Sequence, residues 1–179
     1  MAAIYLPPWR IDVEARDGVW VPLPQSRLAR LAWRALEAAG APRPASLGLI
    51  LSDDRELATL NAEHMGKTGP TDVLSFPLLP ISAYPRHAGH DPPERSPPAF
   101  VLPPGRRPHL GDIVISVQRA AEQAAQGTGG QAGDVSWSVG DELCLLLTHG
   151  VLHICGWDHA DEEESAAMRA LERDLLAAL

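Results

Sequence analysis

The run Leu143–Cys155, LCLLLTHGVLHIC, restricts the fold more than any other part of this chain. It contains no Asp, Glu, Lys or Arg, and leucine, valine and isoleucine fill most of its positions. A helix with so little polar face is stable in water only when neighbouring elements cover it on most sides. The segment therefore belongs at the centre of a domain. It is too short to span a membrane, which takes about 20 apolar residues, and no other window approaches that length. Embedded in it are His149 and His153, and His159 follows just beyond. Titratable rings in the most apolar stretch of a chain call for a chemical reason.

The elements that would surround this helix follow from periodicity. Trp9–Arg16 alternates Ile11 and Val13 with polar neighbours, the period-two pattern of a strand. From Pro24 to Gly40, Leu28, Leu31, Ala32, Ala35, Leu36 and Ala39 recur at helical spacing, with Gly40 as the stop. Ser46–Ser52 reads as a short apolar strand, followed by a helix that Asp53 or Asp54 caps and that ends near Gly66. Thr71–Phe76 is a further strand. Another runs through Ile115 into a helix opened by Ser116, and a glycine-rich break precedes the central helix. The acidic first turn after His159 favours a last helix, with Met168, Leu171 and Leu175 inward. This order predicts an α/β (α+β-like) fold: one small, mixed, partly parallel sheet packed with about five helices.

Its 179 residues fit a single domain spanning the chain. The stretch from about 78 to 108 is foreign to the pattern, being proline-rich and aperiodic, and reads as a loop insertion. It carries Arg86, Arg95, Arg106 and Arg107 against Asp91 and Glu94. It is either a solvated insertion or an arm that approaches a polyanion. The formal net charge of −8 argues against broad charge-driven nucleic-acid binding, but not against a local basic patch. Two cysteines, Cys144 and Cys155, make no disulfide framework. The N-terminus MAAIYLPPWRID has no basic-then-apolar leader, so a cytoplasmic protein is expected.

Residues four apart on a helix stack on one face, so His149 and His153 can reach a single ion without backbone distortion. Gly156 is placed to end the helix in the left-handed conformation, and the returning chain then brings in His159. Three imidazoles leave a fourth tetrahedral position open to water, the layout of a catalytic zinc site. Three imidazoles also suit nickel, copper or iron. Cys155, two residues beyond His153, points to another face and is not expected to bind. His64, His87, His90 and His109 have no supporting spacing and read as surface or loop residues. The spacing His-x3-His-x2-Gly-x2-His is also that of metzincin proteases, whose general-base glutamate follows the first histidine. Here that position is Gly150, so a metalloprotease is a minor alternative.

With His149-Gly150-x-x-His153-x-x-Gly156-x-Asp158-His159 in view, the chain resembles the YbeY family of bacterial endoribonucleases of ribosomal RNA maturation. PTDVLSFP (Pro70–Pro77) and LGDIVIS (Leu110–Ser116) match the family's segments in order, as does the acidic run before Met168. The resemblance implies that His149, His153 and His159 bind one zinc ion. It implies a substrate of single-stranded RNA near the 3′ end of 16S ribosomal RNA, with the small ribosomal subunit as partner and a role in ribosome quality control. The family places an aromatic–arginine pair before PTDVLSFP, whose arginine serves catalysis or RNA binding. Here the pair reads His64-Met65, and Lys67 is the nearest cation, without a planar, bidentate head.

A zinc-bound water is the expected reactive group, although the RNA 2′-hydroxyl is an equal candidate for nucleophile. Asp158 is either a carboxylate orienting an imidazole or a turn residue. Ser75 and Asp72 are candidates for the cleft wall, Asp72 equally as a turn cap. Two functions follow: a zinc-dependent endoribonuclease, or a ribosome-associated assembly factor whose metal is mainly structural and whose catalysis is weak.

Overall fold

The computed structural model describes residues 2–87, 107–127, 137–159 and 161–178. Two strands open the chain as a hairpin, β1 (Ala2–Leu6) and β2 (Trp9–Ala15). Then come α1 (Gln25–Ala38), β3 (Ala45–Ser52), α2 (Asp54–Met65), β4 (Val73–Pro77), β5 (His109–Ser116), α3 (Val117–Gln126), α4 (Val139–Ile154) and α5 (Glu162–Ala177). The five strands form one sheet in the order β1-β2-β3-β5-β4. Its three central strands are parallel, and β1 and β4 flank them antiparallel. The mixed, partly parallel sheet with about five helices is what the sequence predicts.

β3, the middle strand, reads as a continuous apolar run because it is covered on both faces, as parallel strands usually are. Ile113 and Ile115 of β5 face the main core with Leu47, Leu49 and Leu51, beneath α1 and α4. Val114 points the other way and joins Leu74 and Leu57 in a smaller cluster under α2. α4 touches α1, α3, α5, β4 and β5, which makes it the hub the composition requires. Its Leu143, Leu147, Val151, Leu152 and Ile154 are fully buried. At about 1.5–3 kcal/mol for each such side chain, burial far outweighs the ~1 kcal/mol that a mid-helix glycine costs.

Two boundaries differ from the expectation. β1 is an additional edge strand, absent from the periodicity because Ala2 and Ala3 carry little signal and Pro7-Pro8 follow at once. α4 starts at Val139, four residues before Leu143, in a capping box. The Ser138 hydroxyl accepts the Asp141 N–H at 3.2 Å, and the Asp141 carboxylate accepts the Ser138 N–H at 3.0 Å. Of the two aspartates proposed as the α2 cap, Asp53 does it, accepting the Glu56 N–H at 2.9 Å. Ser116 caps α3 as expected, accepting the Arg119 N–H at 3.1 Å. Residues 78–87 of the insertion continue from β4 through a short 3-10 turn, Ile81–Ala83; Arg95, Arg106 and His90 lie outside the described residues.

At Gly150, α4 lies close against β4 and β5. A Cβ there would lie 2.8 Å from Ile113 Cγ2 and 3.2 Å from Ser75 Oγ. The branched methyl of a fully buried isoleucine has little room to retreat. Gly150→Ala is therefore expected to lower the thermal midpoint. Overpacking of about 1–3 kcal/mol exceeds the ~1 kcal/mol gained in helix propensity. A thermal melt of the metal-free protein checks this, and an unchanged or raised midpoint would mean that α4 shifts freely on the sheet.

Candidate metal centre

α4 presents His149 and His153 from consecutive turns, with ring centroids 4.4 Å apart and Nε2 atoms 3.0 Å apart. The helix ends as the sequence predicts: Gly156 has φ 86° and its N–H bonds to the His153 carbonyl at 3.0 Å. The chain then turns back through Trp157, whose N–H reaches the Leu152 carbonyl at 3.0 Å. This return brings the His159 ring to 5.3 Å from His153 and 5.9 Å from His149. One ring nitrogen of each lies within 4.8 Å of the others, so the three can hold a metal ion. Tetrahedral zinc, with Zn–N of about 2.0–2.1 Å, separates two ligand nitrogens by about 3.3 Å. The helix pair is near that spacing, and a His159 ring nitrogen lies within 4.8 Å of both from an exposed loop.

Burial, then the neighbouring His149 and His159 rings, pushes His153 down to about 4, so it is neutral near pH 7 and ready to ligate. Cys155 is fully buried and its thiol is pushed up to about 12 by that burial. It stays protonated and is not one of the three converging groups, as its position on another face implied.

Behind the tripod stands a residue that the sequence reading missed. Glu172 of α5 is buried, and its carboxylate lies 2.8 Å from His149 Nδ1. That contact makes Nδ1 the protonated nitrogen and turns Nε2 to the site, the usual carboxylate–histidine–metal arrangement. Its signal was a carboxylate on the face shared with Met168 and Leu175. Losing such a partner typically weakens metal binding by about 10–100-fold. Glu172→Ala should show that loss in a chelator competition for zinc; wild-type affinity would assign Glu172 to packing alone.

Asp158 behaves as a turn residue. Its carboxylate accepts the His159 backbone N–H at 2.8 Å and lies 3.6 Å from His159 Nδ1, too far for a hydrogen bond. The Asp158 N–H is in turn held by the buried Glu164 carboxylate at 3.0 Å.

His87, read from the sequence as a surface or loop residue, lies in a loop. It is not a free surface ring: its side chain is 7% exposed, and it stacks on Trp157 at 4.0 Å with planes 6° apart. The start of the insertion thus folds back onto the loop that carries His159. His109 sits on β5 between Ser46 and Asp112, bonded to each at 3.0 Å, while His64 is exposed and edge-on to Phe76.

The tripod opens into a cleft of about 680 Å³ between α4, β4 and the end of α2. Met65, Lys67, Asp72 and Ser75 line it. Ser75 donates to the Gly150 carbonyl at 3.1 Å, fixing β4 against the metal helix. Asp72 is foremost a cap, accepting the Val73 N–H at 2.8 Å and the Gln123 amide at 2.8 Å. Met65, 45% exposed, occupies the wall where the resemblance places an arginine.

Residues 17–179 match the family described as Endoribonuclease YbeY. This chain belongs to that family. Endoribonuclease YbeY of Renibacterium salmoninarum is 39% identical over 166 residues, covering 93% of this chain and 91% of its own. That of Thermobifida fusca is 40% identical over 167 residues, covering 93% and 92%. The solution structure of TM1509 from Thermotoga maritima has the same fold, with a TM-score of 0.51 at 19% identity over 94% of this chain and 90% of that one. No glutamate follows the first histidine of this YbeY-family chain, and Gly150 has no space for one, so the protease alternative lacks its base. Among the described residues no helix is long and apolar enough to cross a membrane.

Proposed function

We propose that this protein is a zinc-dependent endoribonuclease specific for single-stranded RNA. It would act in the cytoplasm on the 3′ end of 16S ribosomal RNA, in contact with the small ribosomal subunit, during maturation and quality control. The whole chain would be one domain carrying the 78–108 insertion. The observation that carries this reading is the imidazole tripod, backed by Glu172 and facing an open cleft in a YbeY-family chain.

His149, His153 and His159 would hold the zinc. When bound there, the ion would supply Lewis acidity toward a phosphoryl oxygen and would lower the pKa of water toward ~7. Glu172 keeps the His149 proton on Nδ1, so that His149 offers its lone pair to the site. His153, neutral because it is buried, does the same without losing a proton first. Lys67 contributes a positive charge to the cleft wall, where phosphate oxygens pass. The Ser75–Gly150 bond fixes the distance between that wall and the tripod.

A single observation favours the second reading, an assembly factor with weak catalysis. Met65 can neither donate a hydrogen bond to a phosphate nor offset its charge. The two readings separate in one assay. Zinc-loaded protein is incubated with a labelled single-stranded RNA, stripped with a chelator, and reloaded. The endoribonuclease reading expects cleavage, its loss, and its return. Stoichiometric zinc with no cleavage would select the assembly factor.

A further inference from the structure

An acidic protein that handles RNA must concentrate positive charge somewhere, because a net charge of −8 repels a polyanion overall. Four of the twelve described arginines are neutralised in place. Arg10 pairs with Asp12, Arg16 with Glu56, Arg43 with Glu37, and Arg119 with Asp54 and Glu122. α1 gathers three of the others on one face. Arg27, Arg30 and Arg34 form no ion pair with any described carboxylate. At about 100° per residue they fall within about 60° of one another, on the side away from the buried Ala32 and Leu36. Together with Ser26 they line a groove of about 380 Å³. The Arg34 guanidinium donates to the Ala178 carbonyl, which anchors one end of the row against α5.

Spacing fits the ligand as well as charge does. A rise of 1.5 Å per residue puts Arg27 and Arg34 about 10 Å apart along the axis. A nucleic-acid strand presents a phosphate about every 3.4 Å in a duplex, and at longer intervals when stretched. Three guanidinium groups over that length meet two or three successive phosphates, and their planar forks suit phosphate oxygens. None of the three lines the metal cleft, yet α1 packs directly on α4, which carries His149 and His153.

We propose that the Arg27–Arg30–Arg34 face of α1 is a separate contact for the phosphate backbone of single-stranded RNA, gripping the strand outside the metal cleft. The proposal rests on the endoribonuclease reading for its ligand. The test is fluorescence anisotropy of zinc-loaded protein with a labelled single-stranded 20-mer, repeated across a salt series. Each lost contact with a single strand reduces the slope of log K against log salt by about 0.7. The triple variant Arg27→Gln, Arg30→Gln, Arg34→Gln should flatten the slope by about 2 and bind at least about 10-fold more weakly. The corresponding triple lysine variant should keep most of the wild-type slope. Cleavage of a dinucleotide, whose single phosphodiester must sit in the metal cleft and leaves no phosphate for α1, should be unchanged in both. Wild-type slope and affinity in the glutamine variant overturn the proposal and leave the endoribonuclease reading intact. Wild-type protein that binds no RNA overturns both. Equal competition by poly-glutamate at matched charge also overturns it, reassigning the face to an acidic polypeptide.

Discussion

His153→Ala is expected to lose tightly held zinc and to cut single-stranded RNA at least about 10³-fold more slowly than the wild type. Metal catalysis of this kind supplies several kcal/mol of transition-state stabilisation, and about 4 kcal/mol corresponds to about 10³ in rate. His153 is the ligand whose loss should be least replaceable. It sits on rigid helix, already neutral, with its Nε2 3.0 Å from that of His149. The fold should survive, because the five fully buried aliphatic side chains of α4 do not depend on the ring. Circular dichroism and a thermal melt of the metal-free proteins separate the two effects. The exposed His64, replaced by alanine, serves as the control with unchanged metal content. Cleavage that persists in His153→Ala at the wild-type rate would remove the metal from the reaction.

The second large effect runs in the opposite direction. Met65→Arg should raise cleavage of single-stranded RNA by about 10–100-fold. A positioned donor to a developing charge is worth about 10²–10³ where it is fully preorganised, and position 65 is 45% exposed, so the gain expected here falls below that range. The substitution should not cost stability. Residue 65 ends α2, where a cation interacts favourably with the helix dipole by about 0.3–1 kcal/mol. A gain in kcat at constant KM would place the guanidinium on the transition state, and a fall in KM alone would place it on ground-state binding. An unchanged kcat/KM would mean that Lys67 already fills the role, since it lines the same cleft.

What the sequence revealed and what it hid divide by distance along the chain. The tripod was legible because its geometry is nearly all local: four residues on one helix, a glycine, and a short return. The central helix was legible because an apolar run has few places to go. Its first turn was not, because Gly140, Asp141 and Glu142 look polar. In the fold Glu142 is buried and takes the Trp137 indole N–H at 2.6 Å. Glu172 and His87 lie 23 and 70 positions from the groups they contact, His149 and Trp157, and no periodicity links such positions. The strand β1 was hidden for a simpler reason, since two alanines beside two prolines carry almost no pattern. Gly150 was read as the missing protease base, and the structure adds a packing cause: α4 approaches Ile113 too closely for any side chain.

The central claim is that three imidazoles hold one zinc ion and leave a coordination position open. X-ray absorption at the zinc edge of the purified protein tests it most directly. One zinc per chain is expected, with three imidazole nitrogens and one further oxygen, all near 2.0–2.1 Å. A sulfur scatterer near 2.3 Å would contradict the account by bringing in Cys155, and so would a preparation that fails to retain zinc at all.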